Sequence, residues 1–221
     1  MTDFAILRTH MVDSQVRTSD VTDRRIQRAM LAVPRENFVP EALRTLAYMD
    51  EAIGLGGSAA GPRFLMQPMV LAKLLELAQL TENDHVLDVG AGPGYGTALI
   101  ARLARSVIGL ESDTRLAGEA RRLLAAEGAG NATIAEGPLA EGWREGAPYE
   151  VVIFSGAIAE VPAGFIEQTR MGGRLLAVVG EGVIGRATVF ERIGNGWSRR
   201  VGFDAGIPAL PGFAKTKGFT L

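Results

Sequence analysis

Asp88-Val-Gly-Ala-Gly-Pro-Gly-Tyr-Gly96 lies between two segments of opposite character. Before it, His85-Val-Leu-Asp-Val89 is apolar and β-branched, the pattern of a buried strand. After it, Thr97-Ala-Leu-Ile-Ala-Arg-Leu-Ala104 carries small and apolar residues at helical spacing. A strand, a glycine turn and a helix N-terminus make a cradle for nucleotide-like cofactors. Glycine lets the backbone turn sharply and lie close against a ligand.

The spacing narrows the ligand. A dinucleotide fingerprint has the form G-x-G-x-x-G, with a pyrophosphate on the helix N-terminus. Here Gly90, Gly92 and Gly94 give G-x-G-x-G, and Tyr95 takes the place of the third fingerprint glycine. Asp88 precedes the first glycine by two residues. A carboxylate there repels a pyrophosphate but accepts hydrogen bonds from a cationic amino-acid ligand. That chemistry suits S-adenosylmethionine, which carries an ammonium group and a sulfonium. Val107-Ile-Gly-Leu-Glu111 reads as a second strand ending in an acid, 21 positions after Gly90. An acid so placed accepts both ribose hydroxyls, in methyltransferases and NAD enzymes alike. A plain strand-to-helix turn would leave both acids unexplained.

The composition excludes more than it assigns. The 221 residues are 47% hydrophobic with a formal net charge of −2. That supports one domain of ordinary core size with an extension. The near-neutral balance gives no electrostatic reason to expect nucleic acid or an acidic membrane as partner. There is no cysteine, which removes disulfides, thiolate catalysis and cysteine-ligated zinc. Only His10 and His85 are histidines, so neither a metal centre nor a Ser-His-Asp site is expected. Met1–Asp20 is broken by polar residues, unlike a signal peptide, and no apolar run reaches membrane-spanning length. The expected location is cytoplasmic.

Residues 1–67 are expected to form N-terminal helices and a covering loop, and residues 68–221 the cofactor-binding α/β unit. Asp20 is positioned to cap a helix over Val21–Val33, with Ile26, Ala29, Met30 and Val33 on one face and Pro34 ending it. Glu41–Met49 reads as a second short helix. Gly54–Pro62 reads as a loop, either a lid or a linker. Pro68–Leu80 is helical, with proline in its first turn. Asp113 caps a helix over Thr114–Glu127, closed by Gly128 and Gly130. Asn131–Ala135 is a third strand ending at Glu136-Gly137, where Glu136 is placed to meet an adenine edge. Tyr149–Phe154 is the most apolar strand and so the central fourth one. The following loop, Ser155–Pro162, falls at a strand's carboxyl end, where open α/β sheets bind ligands. Pro162–Arg170 reads as a helix and Gly172-Gly173 as a turn into strand Arg174–Val179. Ala187–Arg192 and Trp197–Phe203 read as a hairpin around Gly194-Asn-Gly196. Gly218–Leu221 is a possible last strand, and Lys215 and Lys217 are expected in solvent.

Nearly the whole chain resembles the protein-L-isoaspartate O-methyltransferase family. The matching segments include Met11-Val-Asp-Ser-Gln15, Val33-Pro-Arg-Glu-Asn-Phe-Val-Pro40, Ala47-Tyr48 with Asp50, and Val86–Tyr95. Glu136-Gly137, Ala147-Pro-Tyr149, Gln168 and Met171-Gly-Gly-Arg-Leu175 complete the set. The glycine motif is common to many methyltransferases; the N-terminal segments joined to Gly-Gly-Arg are specific. The resemblance implies a Rossmann-like class I methyltransferase with a seven-stranded, mostly parallel sheet and N-terminal helices over the acceptor site. It implies S-adenosylmethionine as cofactor and a protein or peptide as acceptor.

One departure stands out. The family carries Gln-Thr-Ile-Ser, one residue, then proline before the first buried helix, and its serine contacts the acceptor carboxylate. This chain reads Arg63-Phe64-Leu65-Met66, then Gln67 and Pro68. Met66 falls at the serine position and cannot donate a hydrogen bond. Gln67 is the candidate polar replacement. Asp88, Gly90, Gly92, Gly94, Tyr95, Glu111, Glu136, Gly137 and Ser155 are the expected cofactor-binding residues. Three readings remain: an active methyltransferase on isoaspartyl or another acceptor, a non-catalytic cofactor-binding module, and an NAD-dependent oxidoreductase, which Tyr95 and Asp88 disfavour. Oligomeric state is not legible.

Overall fold

The computed structural model describes residues 2–58, 61–180 and 184–213. It opens with helix α1 (Phe4–Met11), whose N-terminus is capped by the Asp3 carboxylate, and continues through a wider turn at Val12–Val16. Helix α2 (Arg24–Ala32) is capped by Asp23, which accepts from the Arg25 amide, and not by Asp20. Asp20 adopts φ 61°, a left-handed conformation that closes the preceding turn and cannot serve as a cap. Glu41–Leu46 is a 3₁₀ segment, shorter and tighter than the helix expected over Glu41–Met49.

The described residues of the stretch Gly54–Pro62, expected as a loop, belong to two antiparallel strands, β1 (Ile53–Ser58) and β2 (Gly61–Leu65). Its glycines suggested flexibility, but the burial alternates: Ile53, Leu55, Arg63 and Leu65 face inward. That period of two is what a half-buried strand requires. Helix α3 (Pro68–Ala78) follows at once. The Asp50 carboxylate fixes its start by accepting from the Met69 amide at 2.9 Å. Leu71, Leu74 and Leu75 are all at most 2% exposed. Each contributes about 1.5–3 kcal/mol of burial.

Then come β3 (His85–Val89), α4 (Tyr95–Ala101), β4 (Ser106–Glu111), α5 (Thr114–Ala126) and β5 (Ala132–Glu136). Asp113 caps α5 as the sequence predicts, accepting from the Leu116 amide. Strand β6 (Tyr149–Ile158) runs on through Ser155, Gly156 and Ala157, which were expected in a loop. The expected Pro162–Arg170 helix is reduced to one turn, α6 (Phe165–Gln168). Strand β7 (Thr169–Val179) already includes Gly172-Gly173, and a register shift opposite Tyr149–Val151 absorbs them. Residues 170–173 have no partner in the β6 register and Gly172 takes φ +71°, so the glycines make their turn as a bulge within the strand. Strands β8 (Gly185–Ile193) and β9 (Gly196–Ala205) form the expected hairpin. The expected strand Gly218–Leu221, with Lys215 and Lys217, lies outside the described residues.

The seven-stranded sheet has the order β5-β4-β3-β6-β7-β8-β9. Strands β5 to β7 pair in parallel, while β8 and β9 are antiparallel. This is a Rossmann-like α/β sheet with β6 at its centre. The chain runs outward from β3 to β5 and then crosses back to β6. The carboxyl ends of β3 and β6 therefore flank the point where strand order reverses, the usual ligand crevice. The N-terminal helices share a core with the sheet: Met11, Val16, Ile26 and Met30 cluster with Leu71, Val86 and Ile153. No helix among the described residues is long and apolar enough to cross a membrane.

Candidate active site

The glycine turn after β3 hangs on the neighbouring strand. The Gly90 and Ala91 amides both donate to the Leu110 carbonyl, at 2.9 and 3.1 Å. Gly90 adopts φ +84°, which only glycine takes without strain, and this turns the backbone at the strand end. Asp88 is fully buried. Its two carboxylate oxygens accept from Thr97 Oγ1 at 2.7 Å and Ser155 Oγ at 2.6 Å. The carboxylate thus ties α4 to β6 beneath the turn. Burial pushes the Asp88 carboxyl above the usual carboxylate range, and the two hydroxyls oppose the shift. Asp88 and Ser155, both expected at the cofactor, satisfy each other here.

Glu111 is also fully buried, and its hydrogen bonding is saturated. Oε2 accepts from the Gly92 amide at 2.7 Å and Arg63 Nη2 at 2.6 Å. Oε1 accepts from the amides of Ser112 and Asp113, at 2.9 and 3.0 Å, and from Arg63 Nε at 3.2 Å. Glu136 lies opposite Glu111 in the β4–β5 register but is exposed, held by the Thr114 hydroxyl and by Arg121 at 3.6 Å. The Gly137 amide donates to the Glu111 carbonyl at 3.1 Å, which places the third strand's end beside the second's.

Tyr95 starts α4, but its ring turns away from the cradle into the core. It packs edge-on against Phe38, with centroids 5.5 Å apart, and beneath the Arg35 guanidinium at 4.9 Å. Only its backbone remains at the turn, so its side chain is a core element. Met66 is buried too, and its carbonyl accepts from Arg35 Nη2 at 2.7 Å. Gln67 Nε2 donates to the Gly206 carbonyl at 2.9 Å, while its Oε1 is buried without a partner among the described residues.

Two residues that sequence reasoning passed over complete the site. Arg63 points from β2 into the cradle and is 2% exposed. Leu210, on the C-terminal strap, covers the glycine turn: its Cδ2 lies 2.6 Å from where a Cβ on Gly90 would stand. The strap adds to the end of β6 through Ala157 N to Pro208 O at 3.0 Å and Leu210 N to Ala157 O at 2.8 Å. Arg63 carried a signal, a charge immediately before the short apolar run Phe64-Leu-Met66. Leu210 carried none.

Known proteins resemble both the sequence and the fold. Residues 7–201 match the family model described as protein-L-isoaspartate(D-aspartate) O-methyltransferase. Protein-L-isoaspartate O-methyltransferase 1 of Rhodopseudomonas palustris (strain HaA2) is 37% identical over 179 residues, 81% of this chain and 71% of that one. Protein-L-isoaspartate O-methyltransferase 2 of Anaeromyxobacter sp. (strain Fw109-5) is 37% identical over 190 residues, 86% of this chain and 76% of that one. A solved protein-L-isoaspartate O-methyltransferase matches the fold with a TM-score of 0.80 at 22% identity, over 93% of this chain and 66% of that one. A Plasmodium falciparum protein, described as a beta-aspartate methyltransferase in complex with S-adenosyl-L-homocysteine, matches with a TM-score of 0.76 at 17% identity, over 95% and 99% of the two chains. By the extent of the family match and the identity to these bacterial relatives, the chain belongs to the protein-L-isoaspartate(D-aspartate) O-methyltransferase family.

Proposed function

We infer that the protein is an S-adenosylmethionine-dependent methyltransferase that esterifies a carboxylate on damaged protein, the isoaspartyl group being the acceptor its family names. The observation that carries this reading is the buried acid pair, Asp88 and Glu111, around a bare glycine turn at the strand-order reversal. The cradle's chemistry fits an adenosyl ligand: a carboxylate for a diol at Glu111 and backbone free of a side chain at Gly90 for close approach. In the described conformation that volume is held by Arg63 and Leu210.

When bound, S-adenosylmethionine supplies an activated methyl on a sulfonium. Glu111 would receive the ribose hydroxyls, and Glu136 with Gly137 the adenine edge. Asp88 would keep the glycine turn in place through Thr97 and Ser155. Gly90, Gly92 and Gly94 would let the backbone approach. Tyr95 would contribute its main chain. A carboxylate acceptor is already a nucleophile at neutral pH, so no base is required. The chain's task is to position it and exclude water. Gln67, with an Oε1 unpartnered among the described residues and an amide on Gly206, is the polar residue nearest in sequence to the usual acceptor serine. Residues 1–67 act as the cover. Under this reading the protein works in the cytoplasm on protein or peptide acceptors, without nucleic acid or membrane.

Met66 favours a second reading, methylation of a different acceptor or binding without catalysis. Its buried thioether offers no donor where the family has a hydroxyl. Steady-state kinetics on an isoaspartyl peptide with Met66→Ser alongside separates the two. The isoaspartyl reading predicts measurable kcat/KM in the unsubstituted protein and a lower peptide KM in Met66→Ser. Activity confined to Met66→Ser points to another acceptor.

A further inference from the structure

We propose that Arg63 and Leu210 are internal occupants of the cofactor cleft, so that the chain holds its own cradle shut and these two side chains set its affinity for an adenosyl ligand. The inference rests on the cofactor reading of the cradle given above.

Arg63 occupies the hydrogen-bonding capacity a ribose would need. A carboxylate has about four lone-pair sites. Those of Glu111 are taken by the amides of Gly92, Ser112 and Asp113 and by two nitrogens of the guanidinium. A planar guanidinium matches a carboxylate at two points at once, which makes it a strong competitor for a diol. The Arg63–Glu111 pair is closed from solvent, at 2% and 0% side-chain exposure.

Leu210 occupies the space. Gly90 and Gly156 present bare backbone at the ends of β3 and β6, where a ligand would come close. A Cβ on Gly156 would stand 2.7 Å from Leu210 Cγ, and one on Gly90 2.6 Å from Leu210 Cδ2 and 3.2 Å from Arg63 Nη2. The two occupants therefore meet over the same turn from separate parts of the chain. Gln67 Nε2 on the Gly206 carbonyl further joins the acceptor-side segment to the strap. Ligand binding then requires Arg63 to leave Glu111 and Leu210 to leave Gly90. Apparent affinity falls in proportion to the open fraction.

The test is calorimetric titration of the full chain with S-adenosylhomocysteine, comparing the unsubstituted protein, Arg63→Gln and Leu210→Ala. Both variants are expected to bind at least tenfold more tightly than the unsubstituted protein. Leu210→Ala leaves the Arg63–Glu111 pair intact and so reads the proposal even if Arg63→Gln folds poorly. Equal affinity in all three proteins overturns the proposal and leaves the methyltransferase reading standing. Weaker binding by Arg63→Gln also overturns it, since Arg63 would then help hold the ligand. No binding by any of the three overturns both the proposal and the cofactor assignment beneath it.

Discussion

Replacing Arg63 by glutamine should lower the stability of the ligand-free protein by a predictable amount. Arg63 and Glu111 form a two-point pair at 2.6 and 3.2 Å, closed from water. Removing one partner of a buried pair costs about 3–5 kcal/mol, because the remaining charge stays buried. Glu111 keeps the Gly92, Ser112 and Asp113 amides, so the loss belongs at the lower end, about 3 kcal/mol. In a chain of this size each kcal/mol moves Tm by about 2–4 °C, which gives a fall of about 6–12 °C. Thermal unfolding of Arg63→Gln, Glu111→Gln and the double variant forms a cycle that isolates the pair from other effects. The double variant should be less destabilised than the sum of the singles, by at least about 1 kcal/mol. Additive effects with an unchanged Tm in Arg63→Gln would refute the pair as a feature of the molecule in solution.

Three further outcomes follow from other contacts. Asp113→Ala removes the cap that holds the Leu116 amide and should cost about 1 kcal/mol in thermal unfolding, without altering the fold by circular dichroism. Gly156→Ala drives a methyl into Leu210 and within 3.2 Å of the Pro208 carbonyl, so it should destabilise by about 1–3 kcal/mol and expose the strap to limited proteolysis. Asp88→Asn should be more stable than the unsubstituted protein at neutral pH. Burial raises the folded-state pKa of Asp88 above its unfolded value, so the native state binds its proton more tightly. The stability this lends is complete below the unfolded pKa, about 3.9, and is lost as pH rises through the folded value. Asparagine never ionises, so its advantage should vanish in urea titrations run below about pH 3.9.

The cradle was legible because its signals are local. A β-branched run, glycines with positive φ, and acids at strand ends each lie within a few residues of the element they specify, and β3, β4 and α5 follow them closely. The β1–β2 pair was not legible, since its glycines imitate a loop and its inward residues, Leu55 and Arg63, sit on different strands. Strand β7 begins before Gly172-Gly173 because Thr169 already pairs with Tyr149 across the bulge, a contact that no local pattern announces. Asp20 was the cap expected from the sequence; its left-handed conformation removes it, and Asp23 takes the role. The closure of the site was least legible. Arg63 meets a carboxylate 48 positions away, and Leu210 reaches the glycine turn from the far end of the chain. Sequence spacing identified the acids of the cradle, while tertiary packing determines what occupies it.

The most direct test of the account is transfer of a labelled methyl group from saturating S-adenosylmethionine to an isoaspartyl peptide, with the matching aspartyl peptide as control. The account predicts a base-labile methyl ester on the isoaspartyl peptide alone. Absence of label on that peptide, from protein that binds S-adenosylhomocysteine, would contradict it.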